Sequence, residues 1–303
     1  MILSLAWLIA APKKVCINKI VEHPALNATT QGIIDTLKDH DIEMRVESAQ
    51  GNPSLAMQIT NKFVNQKAEI IVGIGTVVSQ TVRPYAMKNK TTLVFSTVTD
   101  PIGAELVNDL QKPNGNTTGV SNFVPLEPQL LLFKKIKPSL KKIGFLYNPG
   151  ESNSISLVKK LEKLCPKMGL VLVKQAAFKS SEMPFAAAKL ALQVDAIFIS
   201  NDSTALSALS GVIREADKAE IPVFVSDVDA VKLGAVAALG PNQYKIGVQT
   251  GKMILRILSG QNPATIPVEF PQETELYLNV KAVQNLGLIV PEDLVKIAKQ
   301  IVS

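Results

Sequence analysis

Clusters of polar residues follow apolar stretches of strand length at regular intervals along this chain. In the first half they are residues 75–79 (GTVVS) and 96–100 (STVTD), which offer hydroxyl groups and the backbone N–H groups of a helix start. Such groups suit an anion such as a carboxylate, because the N–H groups and the helix dipole both favour negative charge. Capping of a helix by Thr76 alone would also account for the first cluster.

The second half carries three further clusters, residues 148–154 (NPGESNS), 200–204 (SNDST) and 226–229 (SDVD). The last two include Asp202 and Asp227, and a carboxylate that faces a cleft could neutralise an ammonium group. Each of these carboxylates, taken alone, is more often a helix cap. Hydroxyl and amide groups in the first half, together with carboxylates in the second, favour a zwitterionic ligand.

The elements that position these clusters occur twice, at intervals of 126 to 130 residues. The matching segments are 13–17 (KKVCI) with 141–145 (KKIGF), 68–72 (AEIIV) with 194–198 (VDAIF), and 96–100 with 226–229. Alternation of apolar strands with helical segments is typical of parallel sheets covered by helices on both faces. We therefore predict an α/β protein with two doubly wound parallel-sheet lobes joined by a multi-stranded hinge. Ligands bind beyond the carboxyl ends of such strands, so both sets of polar clusters would face one cleft.

The chain is expected to cross between the lobes three times, near residues 121–125, 238–242 and 262–270. The N-terminal lobe would then comprise residues 12–121 and 241–266, and the C-terminal lobe residues 122–240 and 267–303. Residues 1–11 (MILSLAWLIAA) are apolar and end in small residues, as the core of a secretory signal does, although they lack a basic start. We interpret them as an incomplete signal segment and expect a periplasmic or otherwise exported protein. A short buried N-terminal segment is the alternative.

Composition excludes several classes of protein. With 303 residues, 47% of them hydrophobic and 19% charged, the chain is globular. Its net charge of +6 comes from scattered lysines without a run of five like charges, so no nucleic-acid partner is expected.

Motifs for metals, cofactors and catalysis are missing from the sequence. Cys16 and Cys165 form no C-x-x-C pair, and His23 and His40 lack a metal-ligand spacing. The dinucleotide fingerprint is broken at Val78, and neither a P-loop nor a nucleophile elbow occurs. We therefore predict no disulfide, no metal, no cofactor and no enzymatic activity.

Four stretches in one order resemble a known family. They are residues 20–26 (IVEHPAL), 94–101 (VFSTVTDP), 115–121 (GNTTGVS) and 146–154 (LYNPGESNS). The sequence resembles the ABC-transporter substrate-binding proteins of the tryptophan/tyrosine-type branch, which have the type I periplasmic-binding fold. The likeness runs from about residue 13 to the C-terminus. It implies a two-lobed receptor that hands a small solute to a membrane permease, with an amino acid expected as ligand and an aromatic one favoured. We expect the protein to be monomeric.

The resemblance also implies a set of ligand-binding positions in both lobes. By this likeness Thr76 and Ser79 would hold the carboxylate, Ser96 and Thr97 would form the second tip of the first lobe, Asn153 and Ser154 would contribute from the second lobe, and Asp202 and Asp227 would face the amino group. Residues 239–244 (LGPNQY) depart from the family pattern, which has Asp-Tyr after the glycine. The hinge-side edge of the pocket is therefore not carried over.

Two other functions fit a two-lobed scaffold. One is the ligand-sensing domain of a regulator, which would need a separate partner. The other is a cofactor-independent racemase with one cysteine in each lobe. The expected position of Cys16 in the middle of a strand, rather than at its tip, argues against the racemase.

Overall fold

Two α/β lobes make up the computed structural model, which describes residues 12–113 and 115–302. The segment 1–11, interpreted above as an incomplete signal, lies outside these residues. The predicted fold class is confirmed, because each lobe contains a predominantly parallel sheet with helices on both faces.

The first sheet contains five strands, and all neighbouring pairs are parallel. Its strands are β1 (Lys13–Lys19), β2 (Ile42–Ser48), β3 (Ile70–Ile74), β4 (Thr92–Ser96) and β5 (Thr117–Val120). They lie in the order β2-β1-β3-β4-β5, the doubly wound order in which ligands bind near the β1/β3 switch point. β3 is buried along its whole length, as its uninterrupted apolar sequence requires.

The second sheet repeats this order and adds strands at one edge. Its strands are β6 (Lys142–Tyr147), β7 (Val171–Ala176), β8 (Ala196–Ile199), β9 (Val223–Val225), β10 (Ala237–Gly240), β11 (Glu275–Asn279) and β12 (Gln300–Val302). The order is β7-β6-β8-β9-β10-β11-β12, and only the β10–β11 pair is antiparallel. Phe133, Phe145, Phe198 and Phe224 form an aromatic cluster in the core of this lobe, with the Phe133 and Phe224 rings stacked at 4.3 Å.

Helices connect the strands and carry the polar clusters at their starts. They are α1 (Pro24–Leu37), α2 (Pro53–Asn65), α3 (Thr76–Asn89), α4 (Leu126–Ile136), α5 (Ser152–Leu164), α6 (Met183–Ala191), α7 (Ser203–Ser207), α8 (Leu209–Lys218), α9 (Gln243–Leu258), α10 (Val280–Asn285) and α11 (Glu292–Ile297). The helices α1, α3, α5 and α7 each begin just after a strand, so their N-termini lie at the carboxyl edge of their sheet. The second half of the repeat thus presents the same kind of edge as the first.

The third crossing between the lobes lies later in the chain than the predicted 262–270. Glu269 still pairs with the first sheet, because its N–H donates to Gly119 O at 3.0 Å and its carbonyl accepts from Ser121 N–H at 2.8 Å. Ile266 and Val268 are buried in the two cores of the first lobe. The chain therefore returns to the second sheet only over residues 270–274, ahead of β11.

The helices α1 and α9 pack so closely that glycine is required on both. A Cβ atom on Gly247 would lie 2.1 Å from Thr29 O, and one on Gly32 would lie 2.2 Å from Tyr244 O. The starts of these helices carry the buried side chains of His23 and Gln243. The close packing therefore fixes the two side chains relative to each other.

Replacing Gly247 with alanine is expected to lower the free energy of unfolding by about 3 kcal/mol, because the added methyl group must push two backbones apart. Urea unfolding followed by circular dichroism measures this change. Gly150→Ala is the control, since the nearest atom to its added Cβ is Asn148 Oδ1 at 3.1 Å, part of a side chain that can move. An unchanged urea midpoint for Gly247→Ala would mean that this packing does not restrain the helices.

Candidate ligand-binding cleft

A cleft lies between the two lobes, where the carboxyl edges of their sheets meet. It contains about 480 Å³ of space between its lining atoms, part of it open to solvent. Its walls come from the loops and helix starts that follow β1, β3 and β4 in the first lobe and β6, β8 and β9 in the second. The position agrees with the general rule for doubly wound sheets.

Four of the eight predicted binding residues line this cleft. Thr76 is the first residue of α3, and Thr97 follows β4. Asn153 lies in the first turn of α5, and Asp227 follows β9. The structure therefore brings together two hydroxyl-bearing residues of the first lobe with an amide and a carboxylate of the second.

The predicted serines of the first lobe lie behind the cleft. The Ser79 hydroxyl donates to Gly73 O and Gly75 O, at 2.9 and 2.8 Å, and so holds the loop that precedes α3. The Ser96 hydroxyl lies 2.8 Å from that of Thr250 on α9. Both hydroxyls are buried inside their own lobe, and neither residue lines the cleft.

Asp202 and Ser154 also bond within their lobe and do not line the cleft. Asp202 Oδ2 accepts from Ser154 Oγ at 2.7 Å and from Asn148 N–H at 2.6 Å, and its Oδ1 accepts from Ala205 N–H at 2.8 Å as the cap of α7. Burial, and next the charge of Glu151, raise the pKa of Asp202. This carboxylate ties the loop before α5 to the start of α7, and its oxygens are already occupied.

Unpartnered polar atoms mark the cleft as a binding site. Four buried side-chain atoms that lack a hydrogen-bond partner among residues 12–113 and 115–302 belong to residues of its lining: His23 Nε2, Thr97 Oγ1, Asn153 Oδ1 and Asp227 Oδ2. Buried polar atoms are normally paired, because leaving one unpaired costs about 1–3 kcal/mol. Their convergence on one cleft indicates a ligand that supplies the missing partners.

The first-lobe side of the cleft is built to hold an anion. α3 begins after Gly75 without a side-chain cap, so its first N–H groups are free to face a ligand beside Thr76. Gly75 has φ of 94°, which a side chain would disfavour. Thr97 has φ of 56°, a left-handed backbone that is uncommon for threonine and is often found at functional sites.

The second-lobe side carries a carboxylate in an unusual state. Asp227 is fully buried, and burial together with the neighbouring charge of Asp229 raises the pKa of Asp227 to about 7. Its Oδ1 accepts from Asp229 N–H at 3.0 Å, and Oδ2 lies 3.5 Å from His23 Nδ1 across the lobe boundary. A cation bound at Oδ2 would restore the charged form of this carboxylate.

Part of the remaining wall is apolar, beside the polar side chains of Asn122, Asn201, Ser203 and Gln243. Val21, Ala25 and Leu26 contribute from the first lobe, and Leu206 faces them from α7. The cleft therefore combines polar groups from both lobes with apolar side chains that a ligand could contact.

Several lining residues were not predicted as binding residues. His23 precedes α1 at the tip of β1, and Gln243 begins α9; both are buried. The rule that pointed to Thr76 and Thr97, a polar residue just after a strand, also applies to His23. The histidines were considered only as metal ligands, and that is why this one was missed.

Family comparison identifies the class of protein to which the cleft belongs. A model of the family described as ABC transporter substrate binding protein matches residues 14–302. The chain belongs to this family. It is 30% identical over 282 residues to the tyrosine-binding protein of Clostridioides difficile (strain R20291), covering 91% of this chain and 81% of that one.

Two solved structures of relatives match this substrate-binding protein to different degrees. An ABC domain from Streptococcus pneumonia in complex with L-Trp is 31% identical and gives a TM-score of 0.92, over 96% of this chain and 100% of that one. A ligand-free, open substrate binding protein with adhesive properties from Clostridium difficile is 29% identical, with nearly the same coverage of 96% and 99%, but gives a TM-score of 0.73. Since identity and coverage are alike, the TM-scores indicate that the lobe arrangement here is closer to that of the liganded relative than to that of the open one.

A contact outside the cleft also joins the two lobes. Ser156 on α5 donates to Asp100 Oδ2 of the first lobe, and Lys160 Nζ lies 4.0 Å from the same oxygen. Lys160 also lies 4.2 Å from the centroid of the Phe123 ring in the first crossing segment. Asp100, Ser156 and Lys160, here called the closure contact, join the lobes without lining the cleft.

Replacing Ser156 with alanine is expected to weaken the binding of every ligand about three- to tenfold and by the same factor. Asp100 is solvated when the lobes separate, so its bond to Ser156 stabilises only the closed state that holds the ligand. Isothermal titration with two different ligands measures both the loss and the selectivity ratio. A change in that ratio would show that Ser156 acts on the ligand itself.

Residues 12–113 and 115–302 contain neither a membrane-spanning helix nor a metal-binding cluster. No helix there is both long and apolar enough to span a membrane, and no group of three or more His, Cys, Asp or Glu side chains could hold a metal ion. Cys16 and Cys165 are buried in the cores of different lobes, and burial raises the pKa of both thiols to about 11. Neither cysteine lines the cleft.

Proposed function

We propose that this substrate-binding protein closes on a free amino acid with an aromatic side chain. The observation that carries the proposal is the set of unpartnered groups in the cleft. The hydroxyl of Thr97 and the uncapped start of α3 beside Thr76 suit the carboxylate. Asn153 Oδ1 and Asp227 Oδ2 are acceptors on the opposite lobe and suit the ammonium group.

The side-chain preference rests on the apolar wall and on two relatives. The side chains of Val21, Leu26 and Leu206 offer apolar contact to an aromatic ring. A ring buries a large area when it binds and has few rotatable bonds to fix. One relative is named a tyrosine-binding protein, and another is an ABC domain in complex with L-Trp. An aromatic amino acid satisfies the charged groups and the apolar wall at the same time.

Closure of the lobes on the ligand gives the protein a shape that a permease can recognise. A ligand that contacts both lobes shifts the population from open to closed, because only the closed form provides both sets of contacts. We propose that the closed form delivers the amino acid to the permease of an ABC importer. Delivery requires export of the protein, with which the apolar residues 1–11 agree.

Binding without catalysis fits the same cleft better than either alternative function does. A racemase of the type considered above needs a thiol on each side of its substrate, and both cysteines are buried away from the cleft. The family match favours a transport receptor over a regulatory domain.

A thermal-shift screen of ligand-stripped protein against the twenty amino acids tests the proposal, with calorimetry on every hit. We expect stabilisation by tryptophan, tyrosine or phenylalanine, with dissociation constants near micromolar, and a much weaker response to aliphatic amino acids. Compounds that lack either charged group, such as tryptamine and indole-3-propionate, are the controls. Absence of a shift with all amino acids would overturn the proposed ligand class.

A further inference from the structure

We propose that His23 is a ligand-binding residue whose Nε2–H donates a hydrogen bond to the carboxylate of the bound amino acid. This inference rests on the proposed function and adds a residue to it. His23 lines the cleft at the start of α1, and its side chain is only 6% exposed. Its role follows from what each of its two ring nitrogens contacts.

The contact at Nδ1 fixes where the imidazole carries its proton. Ala25 N–H donates to Nδ1 at 3.3 Å, so Nδ1 acts as an acceptor and caps α1. A neutral imidazole has one N–H, which must then be on Nε2. Burial lowers the pKa of His23 to about 4, so the ring is neutral at physiological pH.

Asp227 does not take a hydrogen bond from His23 Nδ1. Its Oδ2 lies 3.5 Å from Nδ1, beyond the ordinary length of an N–H···O hydrogen bond, and Nδ1 already accepts from Ala25. The close approach of two acceptors leaves Asp227 Oδ2 in need of a donor of its own. An ammonium group placed there satisfies it without disturbing the cap.

Nε2 is the end of the ring that faces the ligand. It is buried and has no partner among the described residues, so its N–H needs an acceptor that the protein does not supply. A role limited to capping α1 accounts for Nδ1 but leaves this buried donor unexplained, since asparagine or serine would cap equally well. The carboxylate is the acceptor that an amino acid brings into the cleft.

The proximity of His23 to Asp227 also constrains the spacing of charges in the ligand. His23 and Asp227 are adjacent side chains from opposite lobes, with His23 Nδ1 3.5 Å from Asp227 Oδ2 and the donor Nε2 in the same ring. The carboxylate and ammonium they bind must therefore be close neighbours, as they are on the single α-carbon of an α-amino acid. We expect α-amino acids to be preferred over β- and γ-amino acids for this reason.

Two substitutions separate the nitrogens of this side chain. His23→Asn retains an acceptor near the position of Nδ1 and removes Nε2, whereas His23→Gln retains a donor near Nε2 and loses the cap. The probes are L-tryptophan and L-tyrosine, with tryptamine and tyramine as partners that lack the carboxylate. We expect His23→Asn to raise the dissociation constant of the amino acids about ten- to a hundredfold, to leave that of the amines unchanged, and to keep the thermal midpoint of the unliganded protein. His23→Gln should bind the amino acids more tightly than His23→Asn does, and its unliganded form should have a lower thermal midpoint because the cap of α1 is lost.

Nuclear magnetic resonance gives a second readout that does not depend on a variant. The chain has two histidines, so comparison with a His40→Asn variant assigns the His23 ring signals. L-Tryptophan or L-tyrosine should shift the Nε2–H proton resonance of His23 strongly downfield, and the amines should not.

The outcomes distinguish this proposal from the proposed function. Three outcomes would overturn the role of His23 alone. In His23→Asn, the affinity for amino acids and amines could fall by equal factors, or the affinity for amino acids could stay unchanged. In the wild-type protein, the Nε2–H resonance could fail to shift when a ligand with a carboxylate binds. Failure of the wild-type protein to bind any amino acid would overturn the proposed function, and the role of His23 with it.

Discussion

Asp227→Asn is expected to weaken the binding of aromatic amino acids at least about a hundredfold while leaving the unliganded protein as stable as before. Removing one partner of a buried ion pair costs about 3–5 kcal/mol, because the ammonium group would be buried without a counter-charge. Asparagine keeps the Oδ1 acceptor for Asp229 N–H and fills the same space. Stability should not fall, since burial disfavours the ionised carboxylate and raises its pKa to about 7. Calorimetric titration and thermal unfolding measure the two quantities.

Asp202→Asn is the matched control, because Asp202 is also a buried carboxylate of the second lobe with a raised pKa. Its oxygens accept from Asn148, Ser154 and Ala205 rather than facing the cleft. We expect amino-acid affinity to change less than about threefold, and the free energy of unfolding to drop by about 1–3 kcal/mol as donors lose their acceptor. The opposite pattern, with affinity lost in Asp202→Asn and kept in Asp227→Asn, would move the ammonium site to Asp202.

The sequence predicted the lobes well because their strands are short, apolar and repeated. β3 and β8 are buried on both faces, and such strands must be apolar throughout. A short, uninterrupted apolar stretch can therefore be recognised as a strand in a single sequence. β5 lacks this signal. β5 (TTGV) contains three residues with little apolar character, and it forms because the neighbouring β4 and residues 266–269 offer backbone partners. Pairing across the chain is the information that a single sequence lacks.

Only four of the eight predicted residues line the cleft, for a geometric reason. A polar residue at a strand tip is known to lie near the cleft, but its sequence position does not say whether the side chain faces the cleft or the helix behind it. Thr97 faces the cleft with an unusual positive φ, whereas its neighbour Ser96 faces α9 and bonds to Thr250. The same uncertainty separates Asn153 from Ser154. A shift of one position along the chain therefore turns a side chain from the cleft to the lobe interior, and tertiary packing determines which position faces the cleft.

Amino-acid affinity is expected to rise with pH up to about 7 and then to level off. The unliganded protein holds a proton on Asp227 below that pKa, and the ammonium group of the ligand must displace it. Binding therefore releases a proton, and affinity should fall by up to about tenfold for each pH unit below 7. His23 and Asp229 are the other titratable groups near this carboxylate. His23, with its pKa lowered to about 4, stays neutral throughout, whereas the pKa of Asp229 is itself raised by burial. Titrations in calorimetry between pH 5.5 and 8.5 give the profile.

The stability of the unliganded protein should change with pH in the opposite direction, which makes the pair of measurements decisive. The folded state holds the Asp227 proton more tightly than the unfolded state, whose carboxyl has its ordinary pKa of 3.8. The contribution of Asp227 to stability is therefore present below pH 3.8 and is lost as the pH rises through about 7. Asp202, whose pKa is also raised, adds a trend of the same sign, so the difference between wild type and Asp227→Asn isolates the cleft carboxylate. If Asp227→Asn kept the full pH dependence of amino-acid affinity, the proton released on binding would come from another group and not from Asp227.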